Sequence, residues 1–223
     1  VKITLGASRE YTVAKQLFTG DFCNLYSCSI PITSSGTAAH TWYDRILEDE
    51  GSTTQQGLLK IVRDEKDNDL VENEARILGQ LFPKTEEDVK FYRYLPRLVD
   101  FFKLPSGKAS VILPYFGDFV SLADILKAYP RGIDFRDMVW MFKRILVGIG
   151  FAHKNSVAHG AVLPTHVLVH PTDHGAKILD WSFSVGAGGH ISGISGGYRA
   201  FYPPEVLDKE RARPATDIYM AAK

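Results

Sequence analysis

His159-Gly160-Ala161-Val162-Leu163-Pro164-Thr165-His166-Val167-Leu168-Val169, followed eleven residues on by Asp180-Trp181-Ser182, is the stretch on which the reading of this chain turns. Two histidines and an aspartate are present, but Ala161 and Leu163 between them offer neither a proton acceptor nor an amine. Chemistry that needs a base or a cation at those two positions has nothing there to use.

Upstream, helical spacing is predicted over Ser121–Tyr129 and again over Phe135–Lys154, with Asp134 or Phe135 near the start of the second. Further back, Arg97–Leu104 and Ala109–Phe116 read as strands joined by Pro105-Ser106-Gly107-Lys108, a good turn sequence. Asp69 to Phe82 shows helical spacing through Leu70, Ala75, Ile77, Leu78 and Leu81 and is ended by Pro83. Leu58-Leu59-Lys60-Ile61-Val62 is a short buried-strand signal, and residues 11–30 alternate apolar and polar around Gly20, as two strands and a turn would. Residues 31–57 are rich in Ser, Thr and Gly, carry Glu48-Asp49-Glu50, and read as a long surface loop held down by Trp42 and Tyr43. Strands plus one helix, then a mostly helical half, make an α+β pattern with segregated elements.

Downstream, Gly186 to Gly197 holds six glycines and reads as a flexible linker. His170 and His174 fall in an expected turn and read as solvent histidines. With 45% hydrophobic and 23% charged residues in 223, one domain, two-lobed at most, is the default. Lys+Arg and Asp+Glu both number 26, which argues against a nucleic-acid or anionic-membrane binder. No apolar run approaches a membrane span. Cys23 and Cys28 cannot form a disulfide framework and read as reduced thiols of a cytoplasmic protein. The chain begins at Val1 without methionine and stops at Lys223 in an apparent helix, so a piece of a longer parent chain with further domains is expected.

From about Tyr11 to Lys223 the order of these features resembles the eukaryotic-like protein kinase family. The quoted stretch has the layout of H-R-D-L-x-x-x-N followed by D-F-G. The resemblance implies a two-lobed fold: residues 1–116 a small lobe of five strands and one helix with the long 31–57 loop, and 117–223 the first part of a large lobe. It implies ATP as the ligand and puts Gly20, Leu25, Leu58, Lys60, Glu74, Leu113, Tyr115, Phe116 and Asp180 at nucleotide-binding positions. Phe18-Thr19-Gly20-Asp21-Phe22-Cys23-Asn24-Leu25 stands where the family has a glycine-rich phosphate loop, and only Gly20 remains of its glycines. A phosphate cradle and an ordinary strand turn both fit that segment. Lys60 and Glu74 match the family's ion pair, serving either a nucleotide or the fold alone. Leu113 matches the gatekeeper, and Leu58 narrows the adenine slot.

By the same resemblance His159 is the structural histidine, Gly160 replaces an arginine that reads a phosphorylated loop, and Ala161 occupies the catalytic aspartate's position. Leu163 replaces a lysine and His166 a metal-binding asparagine. Asp180 and His166 together would offer one oxygen and one nitrogen to a metal, a set suited to zinc, manganese or iron rather than magnesium; a local hydrogen bond and a partly exposed histidine are the plainer alternative. Tyr202-Pro203-Pro204-Glu205 resembles A-P-E, with Glu205 lacking its family partner. Thr216-Asp217-Ile218-Tyr219 resembles the helix start whose aspartate tethers the catalytic loop. Losing a general base alone slows a reaction by roughly 10²–10⁴-fold. The expected protein is therefore a signalling pseudokinase, a serine/threonine kinase homologue that works on protein partners as a scaffold or regulator. The alternatives are an ATP-using transferase built on Asp180, His166, Lys60 and Glu74, and an interaction module with an occluded pocket that meets partners through residues 31–57.

Overall fold

The computed structural model describes residues 2–5, 9–31 and 54–223. The chain divides into two compact units, residues 1–68 with 99–115, and residues 69–98 with 116–223.

The first unit is an antiparallel sheet. Strands β1 (Lys2–Leu5), β2 (Arg9–Thr19), β3 (Cys23–Pro31), β4 (Thr54–Val62), β5 (Asp100–Lys103) and β6 (Ala109–Pro114) lie in the order β1-β2-β3-β4-β6-β5. Six strands replace the expected five, because Lys2–Leu5 pairs with β2 in the register Lys2↔Thr12. Pro31 and Thr54–Gly57 belong to strands rather than to the expected 31–57 loop; Trp42, Tyr43 and Glu48-Asp49-Glu50 lie outside the described residues. Period-2 alternation sorts the sheet into two faces. One buries Tyr11, Cys28, Ile30, Leu59 and Ile112, with Tyr26, Ile61 and Phe102 against them. Tyr11 donates its hydroxyl to Asp100 Oδ2 at 2.7 Å, so the only polar atom of that ring is satisfied within this core. The turn between β5 and β6 closes through Leu104 N–H to the Lys108 carbonyl at 2.9 Å, with Gly107 at φ 82.

The second unit carries the helices: α1 (Asn68–Gln80, all but its first residue), α2 (Glu86–Tyr92), α3 (Leu122–Ala128), α4 (Phe135–Lys154), α5 (Pro204–Leu207) and α6 (Pro214–Ala221). Strands β7 (Val120–Ser121), β9 (Val167–His170) and β10 (Gly175–Ile178) form one small sheet, β8 (Val157–Ala158) and β11 (Val185–Gly186) another. The α4 spacing of Met141, Ile145, Ile149 and Ala152 turns one stripe inward. Asp134 caps this helix by accepting Arg136 N–H at 2.8 Å.

Several expectations change here. The mixed α+β class holds, but residues 69–98 group with the second unit instead of staying within a 1–116 domain. Within that unit α1 is bonded through its polar side chains: Asn73 donates to the carbonyls of Ser182 and Ser184 at 2.9 and 2.8 Å, and Gln80 donates to that of Asn155 at 3.2 Å. Helix α2 is an addition to the expected elements, although Thr85-Glu86-Glu87-Asp88 is a capping-box pattern; Thr85 and Asp88 cap one another's N–H groups. The glycine-rich 186–197 stretch is not a free linker. Its backbone is tied by Ala187 N–H to Ser156, Ala212 N–H to Gly189 and Ser195 N–H to the Tyr202 hydroxyl, at 2.9, 2.8 and 3.1 Å. His174 is exposed against Trp140, but His170 packs edge-to-face on Phe119 with its ring centre 5.1 Å away. Around α5 and α6, Tyr202, Pro204, Leu207 and Tyr219 line a groove of about 490 Å³. Among the described residues, no helix is long and apolar enough to cross a membrane.

Candidate functional site

In the second unit the 159–166 loop is held from three sides. Asp217, at the start of α6 and fully buried, accepts the backbone N–H groups of His159 and Gly160, each at 2.8 Å. The same carboxylate lies 2.7 Å from His153 Nε2 on α4. His159 is itself buried between two backbone groups: Nε2 meets the Leu179 carbonyl at 3.0 Å, and Nδ1 accepts Ala161 N–H at 3.1 Å. Its pKa falls to about 4, because burial disfavours the charged ring more than the Asp217 carboxylate favours it. A neutral ring with its proton on Nε2 satisfies both contacts. Gly160 sits at φ 79, and a Cβ there would come within 2.8 Å of the Phe183 carbonyl oxygen, so any side chain is excluded at the position where the resemblance implied an arginine.

Held this way, the loop delivers little reactive chemistry. Ala161 and Leu163 are buried hydrocarbon. His166 faces the Ala161 carbonyl with Nδ1 at 2.9 Å, which places a proton on that nitrogen, and turns Nε2 toward Asp180 Oδ2 at 3.3 Å. Asp180 has the left-handed backbone, φ 60, and leads into a 3-10 turn, Trp181–Phe183. Glu74 on α1 accepts Trp181 N–H at 3.2 Å and the Ser182 hydroxyl at 3.3 Å. His166, Asp180 and Ala161 thus come together in one neighbourhood, with Glu74 bonded to the residues that follow Asp180. For a metal, the donor set is one imidazole nitrogen and one carboxylate oxygen. Among the described residues, no group of three or more His, Cys, Asp or Glu converges there. That set does not fit the oxygen-only shell magnesium prefers.

In the first unit, register brings the other candidates to one sheet face. Leu25 is opposite Lys60, Lys60 opposite Val111, and Leu58 opposite Leu113. Leu58 and Lys60 are two apart, so Leu25, Leu58, Lys60, Val111 and Leu113 share the face away from the Leu59 core. Lys60 is buried, with its Nζ 4.9 Å from the centre of the Phe22 ring. The loop that carries Phe22 is bonded to its own strands. Gly20 N–H donates to the Cys23 carbonyl at 2.8 Å, Arg63 N–H to Phe22 O at 2.8 Å, and Arg63 Nη1 to Gly20 O at 3.1 Å. The Gly20 amide is therefore not turned out toward a ligand. Tyr115 N–H is likewise occupied by the Gln56 carbonyl at 3.3 Å. Phe116 opens the next segment of the second unit and accepts Phe119 N–H at 3.2 Å.

The chain is 25% identical over 160 residues to serine/threonine-protein kinase F of Synechocystis sp., a match covering 69% of this chain and 32% of that protein. It is 28% identical over 119 residues to serine/threonine-protein kinase PknK of Mycobacterium tuberculosis, covering 52% of this chain and 10% of that protein. The chain is kinase-like. The PknK of Mycobacterium bovis likewise matches at 28% identity over 119 residues. This chain thus spans a third or less of the curated relatives it matches, and no protein-family model matches it.

Four residues that matter to the kinase-like domain carried no readable signal. Asn73 is the neighbour of Glu74 on α1, yet its amide fixes the backbone after Asp180. His153 is one of several polar residues near the end of α4 and joins Asp217. Trp181 is fully buried, with its ring 4.4 Å from that of His159. Phe22 takes its role only from the turn that sets it over Lys60. Glu205, left without its family arginine and so expected to find another partner or face water, accepts the Thr216 hydroxyl at 3.0 Å.

Proposed function

We propose that this kinase-like domain is a pseudokinase, acting on protein partners in signalling by conformation, as a scaffold or regulatory module, rather than by phosphoryl transfer. One observation carries this reading. The 159–166 loop is fixed by Asp217 and His159, yet the side chain at its third position is the buried methyl of Ala161. A frame held this firmly by buried hydrogen bonds serves a conformation. A hydrocarbon at its centre serves no proton transfer.

Magnitudes support the same side. A missing general base costs roughly 10²–10⁴-fold in rate, and phosphoryl transfer otherwise depends on positioning and electrostatics. Leu163 supplies no charge for the latter. The nucleotide positions carry a reduced version of the usual chemistry, since the Gly20 amide and the Tyr115 amide are both bonded within the first unit. Binding of ATP without turnover remains within this reading.

The test is transfer from γ-labelled ATP by purified protein with Mg²⁺ or Mn²⁺, beside melting curves with and without nucleotide. Transfer at background level, with or without a nucleotide-dependent rise in melting temperature, is the expected result. Brisk transfer that Asp180→Ala abolishes would overturn the proposal. A second reading, a transferase using Asp180 and His166 with a metal other than magnesium, draws on the 3.3 Å approach of Nε2 to Oδ2. It predicts that Mn²⁺ or Zn²⁺ raises the melting temperature and that His166→Ala removes the rise.

A further inference from the structure

Lys60 is buried on β4, and the ring of Phe22 closes over it with its centre 4.9 Å from Nζ. Phe22 is itself half-buried, so the ring stands as a cover between the amine and water. One residue holds that cover down. Arg63 follows β4 directly, and three successive carbonyls of the β2–β3 turn accept from it. Phe22 O takes its backbone N–H at 2.8 Å, while Gly20 O and Asp21 O take Nη1 at 3.1 and 3.4 Å. Gly20 N–H closes the turn on the Cys23 carbonyl at 2.8 Å. All these residues lie in the first unit.

The bonds differ in kind. Those between backbone groups continue the β3–β4 ladder, in which Cys23 stands opposite Val62. The guanidinium bonds come from an exposed side chain for which water competes. They bias the turn shut without making it permanent. A ring that leaves the amine lets water reach the ammonium, which offsets part of what the cation–π contact gave. Shut and open turns are then close enough in free energy for one side chain to set the balance between them.

We propose that Arg63 is a latch: it keeps the 20–22 turn down so that Phe22 shields the Lys60 amine, and an anionic ligand reaches that amine only when the latch opens. An anion at Nζ needs the space that the ring fills, so the turn is an autoinhibitory strap supplied by the chain itself. The inference rests on the reading of Lys60 as a nucleotide position only for the identity of that anion.

Acetic anhydride, a small uncharged amine reagent, tests the latch without nucleotide, with the labelling rate of each lysine read by mass spectrometry on the folded protein. Arg63→Gln is expected to speed labelling of Lys60 roughly three- to tenfold, the size that loss of a side-chain hydrogen bond sets. The exposed Lys127 and Lys143 are expected to react as before. In a Phe22→Ala background there is no ring to hold, and Arg63→Gln is expected to add less than about twofold. An unchanged Lys60 rate in Arg63→Gln would overturn the proposal. So would an equal acceleration with and without Phe22, which is what a general loosening of the fold produces. Either result leaves the ATP-transfer test of the pseudokinase reading standing, and brisk transfer there leaves the latch standing.

Discussion

Asp217 Oδ1 accepts the backbone N–H of Gly160 at 2.8 Å, and both residues are buried. With Oδ2 on His159 N–H and near His153 Nε2, one carboxylate holds a loop and a helix end that lie 58 and 64 positions away in sequence. Removing it leaves two amides inside the protein with no acceptor. Asp217→Ala is expected to cost roughly 3–5 kcal/mol, read as a lower urea midpoint at unchanged slope. A loss below about 1 kcal/mol would mean that water or another group satisfies those amides.

Gly160 tests whether the departure from the family's arginine is structural. At φ 79, with the Phe183 carbonyl 2.8 Å from any Cβ, both Gly160→Ala and Gly160→Arg are expected to destabilise by roughly 2 kcal/mol or more. Thermal unfolding of the two variants measures it. Equal stability of Gly160→Arg and the parent chain would show that this backbone relaxes freely.

Phe22 covers Lys60 within the first unit, ring centre to Nζ 4.9 Å. If the kinase-like domain binds ATP at all, the lysine has to be released from this contact. Phe22→Ala is therefore expected to give a larger ATP-dependent rise in melting temperature than the parent chain shows. A smaller rise, or none in either protein, would mean that the ring is not what limits nucleotide.

His159 makes stability depend on pH with a definite sign. The ring is neutral in the fold, with its pKa lowered from 6.5 to about 4, so the unfolded chain takes up a proton first as pH falls. The contribution is fully present above about pH 6.5 and is lost as pH drops toward 4, amounting to about 3 kcal/mol over that window. Urea unfolding between pH 7 and pH 4.5 should show this slope on top of that of the carboxylates. In His159→Gln the slope should fall by close to one proton, and an unchanged slope would mean that the buried ring is not the source.

Local signals in the sequence carried much of the fold because they are governed by neighbours in the chain. Helix α4 begins and ends at the expected Phe135 and Lys154, since its apolar stripe and its Asp134 cap are both local. The β2–β3 turn falls around Gly20 as expected, and the β5–β6 turn uses glycine's tolerance of positive φ at Gly107. Helix α2 shows the same physics unread: Thr85 and Asp88 mark it as plainly as Asp134 marks α4. The 186–197 stretch shows the opposite case. Six glycines read as freedom, but the bonds that hold the segment come from Ser156, Tyr202 and Ala212, none of which its own composition reveals.

By itself the sequence determined the residue types at the candidate site: Ala161 and Leu163 as hydrocarbon, His166 and Asp180 as an imidazole and a carboxylate. Side-chain chemistry is a property of the residue and needs no fold to be known. Tertiary structure alone decided that Asn73 fixes the backbone after Asp180, that Phe22 lies over Lys60 and that Lys177 meets the Arg93 carbonyl. Each of these depends on groups distant in the chain arriving within a few ångströms, and on water being driven out between them. No local pattern encodes that, because hydrogen-bond and desolvation energies are set by what surrounds a group after the chain has folded.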